Sequence, residues 1–192
     1  KAWTEPEPFG WEGEFYQYRA VSIWPRPMQK PYPRIMMSCS NEVSARVAAQ
    51  KGAMFGLANL QSFDHARKLM QVYREEAKDH GWEPTPDDFV IALTASVDED
   101  IDLAKERLTE GRRYFAKVLG GGLRTAQKIV LQKTRYMDDE TRSKFQGADK
   151  QAKVSVDDLI NQGIVVCGTP DMAVEQIKRV HGELGMGNVN IS

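Results

Sequence analysis

Cysteine, net charge and long apolar runs are all scarce in this 192-residue chain. Its two cysteines, Cys39 and Cys167, are too few for the disulfide framework on which a small secreted scaffold depends. This scarcity excludes the disulfide-rich class. We expect both thiols to stay free, as they do in a reducing cytoplasm.

An excess of either charge is missing too. Lysine and arginine total 26 against 27 aspartate and glutamate. Because the two signs are interspersed, no basic patch predicts binding to nucleic acid or to an anionic membrane. No apolar run approaches the ~20 residues that span a bilayer, and the opening KAWTEPEPFG lacks the apolar core of a signal peptide. The sequence therefore predicts a cytoplasmic protein with neither a nucleic-acid nor a membrane partner.

Motifs of covalent and metal chemistry are absent from the sequence as well. It contains no G-x-G-x-x-G, no Walker motif and no G-x-S-x-G. The three histidines, His65, His80 and His181, are dispersed and have no partner at metal-ligand spacing. We expect them at the surface, and the sequence assigns neither a metal site nor a catalytic residue.

What the chain does contain begins with a proline-rich lead-in, residues 1–33. The stretch WEGEFYQYRAVSIW, residues 11–24, alternates aromatic and polar side chains and predicts a surface hairpin. Prolines at positions 25, 27, 31 and 33 then require an extended, irregular chain. It leads into Ile35-Met36-Met37, which we expect to form the first buried strand.

From residue 34 the hydrophobic pattern alternates between strands and helices. Between 34 and 119 it predicts strands at 34–38, 53–60 and 87–97, and helices at 42–51, in FDHARKLMQVYREEAKDHG and at about 98–119. Residues 154–192 add a helix at 155–162, a strand at 164–167, the helix PDMAVEQIKRVHGELG and the strand NVNIS. This alternation favours parallel strands with right-handed crossovers, in an α/β sheet or barrel. We expect residues 1–192 to form a single domain.

Residues 120–153 interrupt the alternation. They follow the triplet GGG and are polar, charged and weakly periodic. We interpret them as an insertion with some helix, either a plain surface excursion or a mobile cover over a site.

The junction within RIMMSCSNEVSARVAAQKG, residues 34–52, is the candidate binding site that chemistry alone provides. In α/β folds ligands bind where strands end and helices begin, because the N–H groups there are unpaired. Ser40 and Asn41 occupy this position, and Ser44 lies on the same side of the first turn, so an anion could contact all three. Asn41 and Ser44 are also ordinary capping residues, and Glu42 adds an unfavourable negative charge. Both interpretations stay open.

A second helix start, CGTPDMAVEQIKRV, has Thr169 as N-cap, Pro170 as first helical residue and Gly185 beyond the end of the helix. We interpret this signal as structural.

Three stretches together resemble the bacterial luciferase-like flavin-dependent monooxygenases. They are AWTEPEPFGWEGEFY, WPRPMQKPYPRIMMSCSNEVSARVAAQKG and VCGTPDMAVEQIKRVHGELGMGNVNI, and the resemblance runs nearly end to end. It implies a (β/α)8 TIM barrel. Because such a barrel needs ~250 residues, and the resemblance starts just before its fifth strand, the chain is expected to be the C-terminal part. Exposed sheet edges would then require the missing barrel half or a homo-oligomer.

The resemblance also implies a cofactor and a reaction. The cofactor would be FMN, used in its reduced form and supplied by a separate flavin reductase, and O2 would oxidise a small organic substrate. Relatives of the same fold use a deazaflavin for hydride transfer, so this cofactor is an alternative.

Transferred by position, the phosphate would meet Ser40, Asn41 and Ser44. Ser38 and Cys39 would line the approach, and Asn59 would face the ring or the substrate, although several relatives have an aromatic residue there. The family's phosphate-binding arginine and catalytic histidine belong to the missing half, so the catalytic residue is unknown.

Two other functions compete with this interpretation. One is a non-catalytic or truncated flavin-binding or assembly relative that keeps the phosphate site alone. The other is a barrel enzyme acting on a sugar phosphate, which is disfavoured because no lysine or carboxylate pair lies at the predicted strand ends.

Overall fold

The computed structural model describes residues 1–5, 8–119, 122, 125 and 154–192. The chain divides into two compact units, Lys1–Met36 and Met37–Ser192. The single domain expected from the sequence stays a prediction. Nearly all of the predicted insertion, 120–153, lies outside the described residues. Its predicted role as a cover over a site stays a prediction.

The first unit contains the predicted hairpin. Strands β1, Phe9–Glu12, and β2, Gln17–Val21, pair antiparallel, with Phe9 opposite Val21 and Glu12 opposite Gln17. The turn between them closes with a 2.9 Å hydrogen bond from the N–H of Gly13 to the carbonyl of Tyr16. Residues 22–35 contain no helix or strand, as the four prolines predict.

The second unit alternates strands and helices. The strands are β3, Met36–Ser38, which starts at the boundary, β4, Met54–Leu57, β5, Phe89–Val97, β6, Val165–Gly168, and β7, Asn188–Ile191. The helices are α1, Glu42–Gln50, α2, Phe63–Asp79, α3, Ile101–Tyr114, α4, Val156–Gln162, and α5, Pro170–Leu184. A 3-10 turn, Pro86–Asp88, precedes β5, and a π-helical turn, Phe115–Leu119, extends α3.

The sheet is built around β5. Its residues 89–91 pair with β4 and its residues 90–93 with β7, both in parallel. Because both neighbours pair with residues 90 and 91, they must lie on opposite edges of β5. The last four residues, 94–97, pair in parallel with β6, and β3 joins the other side of β4. The α/β fold with parallel strands, predicted from the sequence, is confirmed.

An aromatic cluster forms the centre of the core between the sheet and α2. The ring centroids of Phe55, Tyr73 and Phe89 lie 5.4–5.7 Å apart, and Trp82 packs edge-on against Tyr73 at 5.7 Å. Tyr73 is fully buried, and its hydroxyl donates a 2.7 Å hydrogen bond to the carbonyl of Ala53. Burial of the hydroxyl is therefore offset by a partner, as a buried tyrosine requires.

Helix α5 begins and ends as its sequence predicts. The Thr169 hydroxyl accepts from the N–H of Met172, Pro170 is the first helical residue, and Gly185 follows the helix with a φ of 63°. Only glycine adopts this left-handed conformation without strain, which explains the helix end.

The first strand differs from expectation. Ile35 lies outside β3 and is 42% exposed, and Met36 is 53% exposed, whereas both were expected to be buried. Strand β3 is at the edge of the sheet, and no other strand among the described residues pairs with its free side. Burial at this position needs a neighbour that hydrophobic pattern alone cannot supply.

No helix in the described part of the chain combines the length and the apolar character needed to cross a bilayer.

The entry to β7 is closely packed, and it provides a stability test. The N–H of Gly187 donates a 2.7 Å hydrogen bond to the carbonyl of Pro86, and a Cβ on Gly187 would lie 2.8 Å from that backbone. Gly187→Ala is expected to lower the free energy of unfolding by about 1–3 kcal/mol, because the backbone must shift. Gly182→Ala in α5, where a Cβ meets nothing within 4 Å, is the control and should be neutral or slightly stabilising. Urea unfolding of both variants measures the difference. Equal stabilities of the two variants would contradict the close packing of Gly187 against the backbone of Pro86.

Candidate functional site

The junction consists of residues 38–44, where β3 ends and α1 begins. The N–H of Cys39 donates a 2.7 Å hydrogen bond to the carbonyl of Gly56, which continues the pairing with β4 for one residue beyond Ser38. Ser38, Ser40 and Asn41 are exposed, and Ser44 is partly buried. The sheet thus fixes the position of the polar residues that precede the helix.

A capping box closes the start of α1. Asn41 is extended, and its Oδ1 accepts a 2.9 Å hydrogen bond from the N–H of Ser44. In return, Oγ of Ser44 accepts from the N–H of Asn41 at 3.2 Å and lies 2.9 Å from the carbonyl oxygen of Asn41, to which it donates. The predicted N-cap is therefore confirmed. The box uses Oδ1 of Asn41 and leaves its Nδ2 group as a donor.

Glu42 raised an electrostatic objection to an anion at this position, and an ion pair reduces it. Nζ of Lys68 on α2 lies 2.7 Å from Oε1 of Glu42. The pair is largely exposed, so its contribution to stability is small. The ion pair matters for the local charge, because Lys68 balances the negative charge of Glu42 in the first turn of the helix.

The thiol of Cys39 lies in the core. Its Sγ is 3.4 Å from the carbonyl oxygen of Met37 and 3.8 Å from that of Ser44, and the residue is fully buried. Burial raises the pKa of the Cys39 thiol, an effect that the hydrogen bond with Gly56 partly opposes. The sequence led us to expect Cys39 along the approach to the site. Ser38 is exposed, whereas the Cys39 side chain is buried against the start of α1, and a role for either residue along the approach stays a prediction.

Small residues bring α1 close to the sheet. Ala45, Ala48 and Ala49 have no exposed surface, and Nε1 of Trp82 donates a 3.1 Å hydrogen bond to the carbonyl of Ala49. Gly52 follows the helix, is exposed and has a φ of 61°. It turns the chain out of the helix, a conformation that glycine adopts readily.

Polar contacts between α1 and α2 hold the helix from its outer side. Glu76 receives hydrogen bonds from Arg46 at 3.0 Å and from Gln50 at 2.8 Å, and its side chain is 13% exposed. The hydrogen bond from Gln50, followed by that from Arg46, lowers the pKa of the Glu76 carboxyl. His80 lies on the same side, with Nδ1 3.6 Å from Oε1 of Glu76.

Asn59 does not sit at a strand end. Strand β4 ends at Leu57, three residues before the predicted end at residue 60, and Asn59 lies exposed in the bend that follows. Among the described hydrogen bonds, none joins Asn59 to the junction. Its predicted contact with the ring or the substrate stays a prediction.

Sequence reasoning missed a polar strip on the open face of the sheet. Alternate residues of β5, at 89, 91 and 93, are buried, so Val90 and Ala92 belong to the other face. Asn188 and Asn190 of β7 pair with them and share that face. Asn188 donates a 2.9 Å hydrogen bond to the carbonyl of Asp87, whereas Asn190 is exposed. The alternation of asparagine with apolar residues in NVNIS was the available sequence signal. Without the strand register, this signal could not show which residues of β5 lie beside the asparagines.

Metal ligands do not cluster in the described residues: no three histidine, cysteine, aspartate or glutamate side chains come together there. His80 and His181 are exposed and His65 is partly buried. Both cysteines are free, as predicted.

The chain matches known proteins over nearly its whole length. A family model described as luciferase-like monooxygenase matches residues 1–186. Among solved structures, the monooxygenase RslO1 from Streptomyces bottropensis is 23% identical, with a TM-score of 0.63 over 100% of this chain and 50% of that one. The oxygenating constituent of 3,6-diketocamphane monooxygenase from Pseudomonas putida, solved with FMN, is 18% identical, with a TM-score of 0.62 over 96% and 51%.

A third solved structure is the coenzyme F420-dependent tetrahydromethanopterin reductase from Methanopyrus kandleri. It is 18% identical, with a TM-score of 0.62 over 98% of this chain and 53% of that one. No curated protein matches the chain significantly. The chain therefore spans about half the length of these structures, and its fold is that of the C-terminal part of a (β/α)8 barrel, as the resemblance predicted.

The capping box provides a stability test. Asn41→Ala should lower the free energy of unfolding by about 1 kcal/mol, because the N–H of Ser44 loses its acceptor. Asn41→Asp keeps a side-chain acceptor and should stay near the wild type. Thermal unfolding of the two variants measures the difference. Equal losses would show that the cap does not stabilise α1.

The Glu76 network predicts a pH dependence. Because folding lowers the pKa of Glu76, its contribution to stability is present above the usual carboxyl value of 4.5 and is lost as the pH falls through the folded value. Glu76→Gln removes this contribution, so the difference in free energy of unfolding between wild type and variant should shrink on acidification. Arg46 and His80 are the basic side chains beside Glu76. Urea titrations at neutral and acidic pH test this, and a constant difference would contradict it.

Proposed function

Because the chain belongs to the luciferase-like monooxygenase family, we propose that it serves a flavin-dependent monooxygenase that uses reduced FMN and O2 to oxidise a small organic substrate. The single observation that carries the proposal is the junction at the start of α1. There, a strand end, exposed hydroxyl and amide groups and the N-terminus of a helix meet.

The junction supplies hydrogen-bond donors that fit the phosphate of FMN. The N–H groups of the first helical turn have no acceptor within the helix, and they bind anions readily. Ser40 and Nδ2 of Asn41 add donors, and Ser44 contributes by turning its hydroxyl proton from the carbonyl of Asn41 to the anion. Its oxygen can still accept from the Asn41 N–H during this change.

Residues 38–44 contain no lysine or arginine, and Lys68, the described cation that contacts Glu42, is paired with it. A phosphate dianion bound by N–H and hydroxyl groups gains from an added positive charge. We propose that this charge comes from the barrel half that the chain does not contain. The catalytic base belongs to that half as well.

Each part of the chain has a distinct task in this proposal. Bound reduced flavin supplies the electrons with which oxygen is activated. The junction anchors the cofactor, Ser38 borders the approach, and the open face of β5 and β7 adjoins the reacting groups. Exclusion of water by the completed barrel protects the reaction. A separate flavin reductase supplies the reduced cofactor, and the cytoplasm is the proposed location.

Completion of the barrel follows from the open edge of β3. Met36 is half exposed there, and an edge strand with apolar side chains pairs or aggregates unless it is covered. We propose that the other barrel half, or a second copy of this chain, covers it.

Two variants of the function remain distinguishable by experiment. The likeness in fold to an F420-dependent reductase favours a deazaflavin as the alternative cofactor, with hydride transfer in place of oxygen chemistry. A flavin-binding relative without catalysis is the second. The absorbance of the bound cofactor distinguishes a deazaflavin from FMN. Binding of reduced flavin without oxidation of any organic substrate would identify the relative without catalysis.

Titration of FMN and riboflavin tests the junction, with flavin fluorescence as the readout. Asn41→Asp keeps the cap but places a negative charge beside the phosphate, so FMN affinity should fall about tenfold or more while riboflavin affinity stays unchanged. Ser44→Ala should weaken FMN binding in the same direction. The full-length protein and the 192-residue chain are compared, and the proposal predicts tighter binding by the full-length protein.

Ser62→Ala is the matched control, because Ser62 caps α2 by accepting from the N–H of His65 at 3.2 Å, away from the junction. It should leave both affinities unchanged. If Asn41→Asp and wild type bind FMN equally, the phosphate does not bind at the junction. If the full-length protein binds no flavin, the resemblance extends to the fold alone.

A further inference from the structure

Asn190 of β7 lies on the face of the sheet that is turned away from the helices. It pairs in parallel with Ala92 of β5, and this pair occupies the face opposite to that of the buried residues Ile91 and Leu93. In a (β/α)8 barrel the helices surround the strands, so the face without helices belongs to the barrel interior. Asn190 is therefore an interior residue of the completed barrel.

Asparagine is unexpected at such a position. It is depleted in strands, and barrel interiors are filled mainly by bulky branched side chains. Nevertheless, asparagine accounts for two of the four residues of β7, Asn188 and Asn190. An amide that is enclosed without a hydrogen-bond partner costs free energy, so each of the two needs a partner in the completed barrel.

The two asparagines differ in their partners. The Nδ2 group of Asn188 donates a 2.9 Å hydrogen bond to the carbonyl of Asp87, which ties the start of β7 to the 3-10 turn before β5. The described residues provide no partner for the side chain of Asn190, which is exposed. Asn188 thus has a structural explanation, whereas the amide of Asn190 stays free to bond to a ligand.

The position of Asn190 along the strand favours a ligand as its partner. It lies two residues nearer the carboxyl end of β7 than Asn188, and ligands of (β/α)8 barrels bind at the carboxyl ends of the strands. Ala92 beside it is small, and Thr94 adds an exposed hydroxyl two residues further along the same face of β5. An amide and a hydroxyl next to a small apolar side chain fit an uncharged polar group on an apolar body.

The junction and Asn190 contact different parts of a bound complex. Strands β4 and β5 separate β3 from β7. Because neighbouring strands lie ~4.8 Å apart, the end of β3 is about 14 Å from β7 along the sheet. A phosphate bound at the junction is therefore remote from Asn190.

We propose that Asn190 is a specificity-determining residue whose amide donates a hydrogen bond to an uncharged carbonyl oxygen of the organic substrate. This inference rests on the proposed function, since it places the substrate in the same barrel mouth as the flavin. Such a site discriminates strongly, because an analogue without the oxygen leaves the enclosed amide unpaired.

Substitution by leucine in the full-length protein tests this assignment. Asn190→Leu keeps a side chain of similar size and removes the hydrogen bond. Cyclohexanone is the probe, titrated calorimetrically into protein saturated with FMN, and the variant should bind it about tenfold or more weakly than the wild type. Asn161→Leu, the same change at an exposed position of α4, is the matched control and should bind the probe as the wild type does.

Thermal unfolding of the ligand-free protein separates this role from a structural one. Asn190→Leu should be at least as stable as the wild type, because it removes an enclosed amide that has no partner. Asn188→Leu should have a lower unfolding midpoint, because it breaks the hydrogen bond to the carbonyl of Asp87. The proposal is overturned if both variants lose stability to the same extent.

Titration with FMN separates a failure of this inference from a failure of the proposed function. Asn190→Leu should bind FMN as tightly as the wild type does. A loss of FMN affinity would overturn the inference, because the amide would then bind the flavin and not the substrate. If FMN binds but the wild type does not bind cyclohexanone at millimolar concentration, or if the variant binds it equally well, this inference alone is overturned. If the wild type binds no FMN, the proposed function fails together with it.

Discussion

Strand β5 is the element on which the rest of the second unit depends. Nine residues long, it pairs with β4 and β7 near its start and with β6 near its end. Its buried side chains Phe89, Ile91 and Leu93 pack toward the helices. Without this strand, β4 loses its partner on one edge and β6 and β7 lose their described pairing. The position of the junction depends on it as well, because β4 links β5 to β3.

The junction combines a structural role with the proposed binding role. Asn41 and Ser44 bond to each other and close the start of α1, so their presence is explained by helix capping alone. The same geometry leaves the first-turn N–H groups and Nδ2 of Asn41 as donors. Capping and phosphate binding are compatible, since the anion and the box use different atoms except at the Ser44 hydroxyl. The family assignment rests on a match over residues 1–186. The proposed phosphate site rests only on the donor atoms at the start of α1.

Local sequence signals predicted the elements well because their causes are local. Asn41 and Thr169 cap helices, and Gly185 ends one, through contacts within four residues. The errors have non-local causes. Ile35 and Met36 were expected to be buried from their hydrophobicity, yet their burial depends on a neighbouring strand. The burial of the Cys39 thiol is non-local too, because it depends on the close approach of α1 to the sheet, and the predicted place of Cys39 beside the site stays a prediction.

The sequence by itself determined the alternation of strands and helices, the helix caps and the family. These features depend on residue spacing and on motifs whose residues are close together in the sequence. Only the tertiary structure decided which side chains meet. It paired Asn188 and Asn190 with Val90 and Ala92, and it tied Glu76 to Arg46 across two helices. Strand register and helix packing join residues that are distant in sequence, and no local pattern encodes these distances.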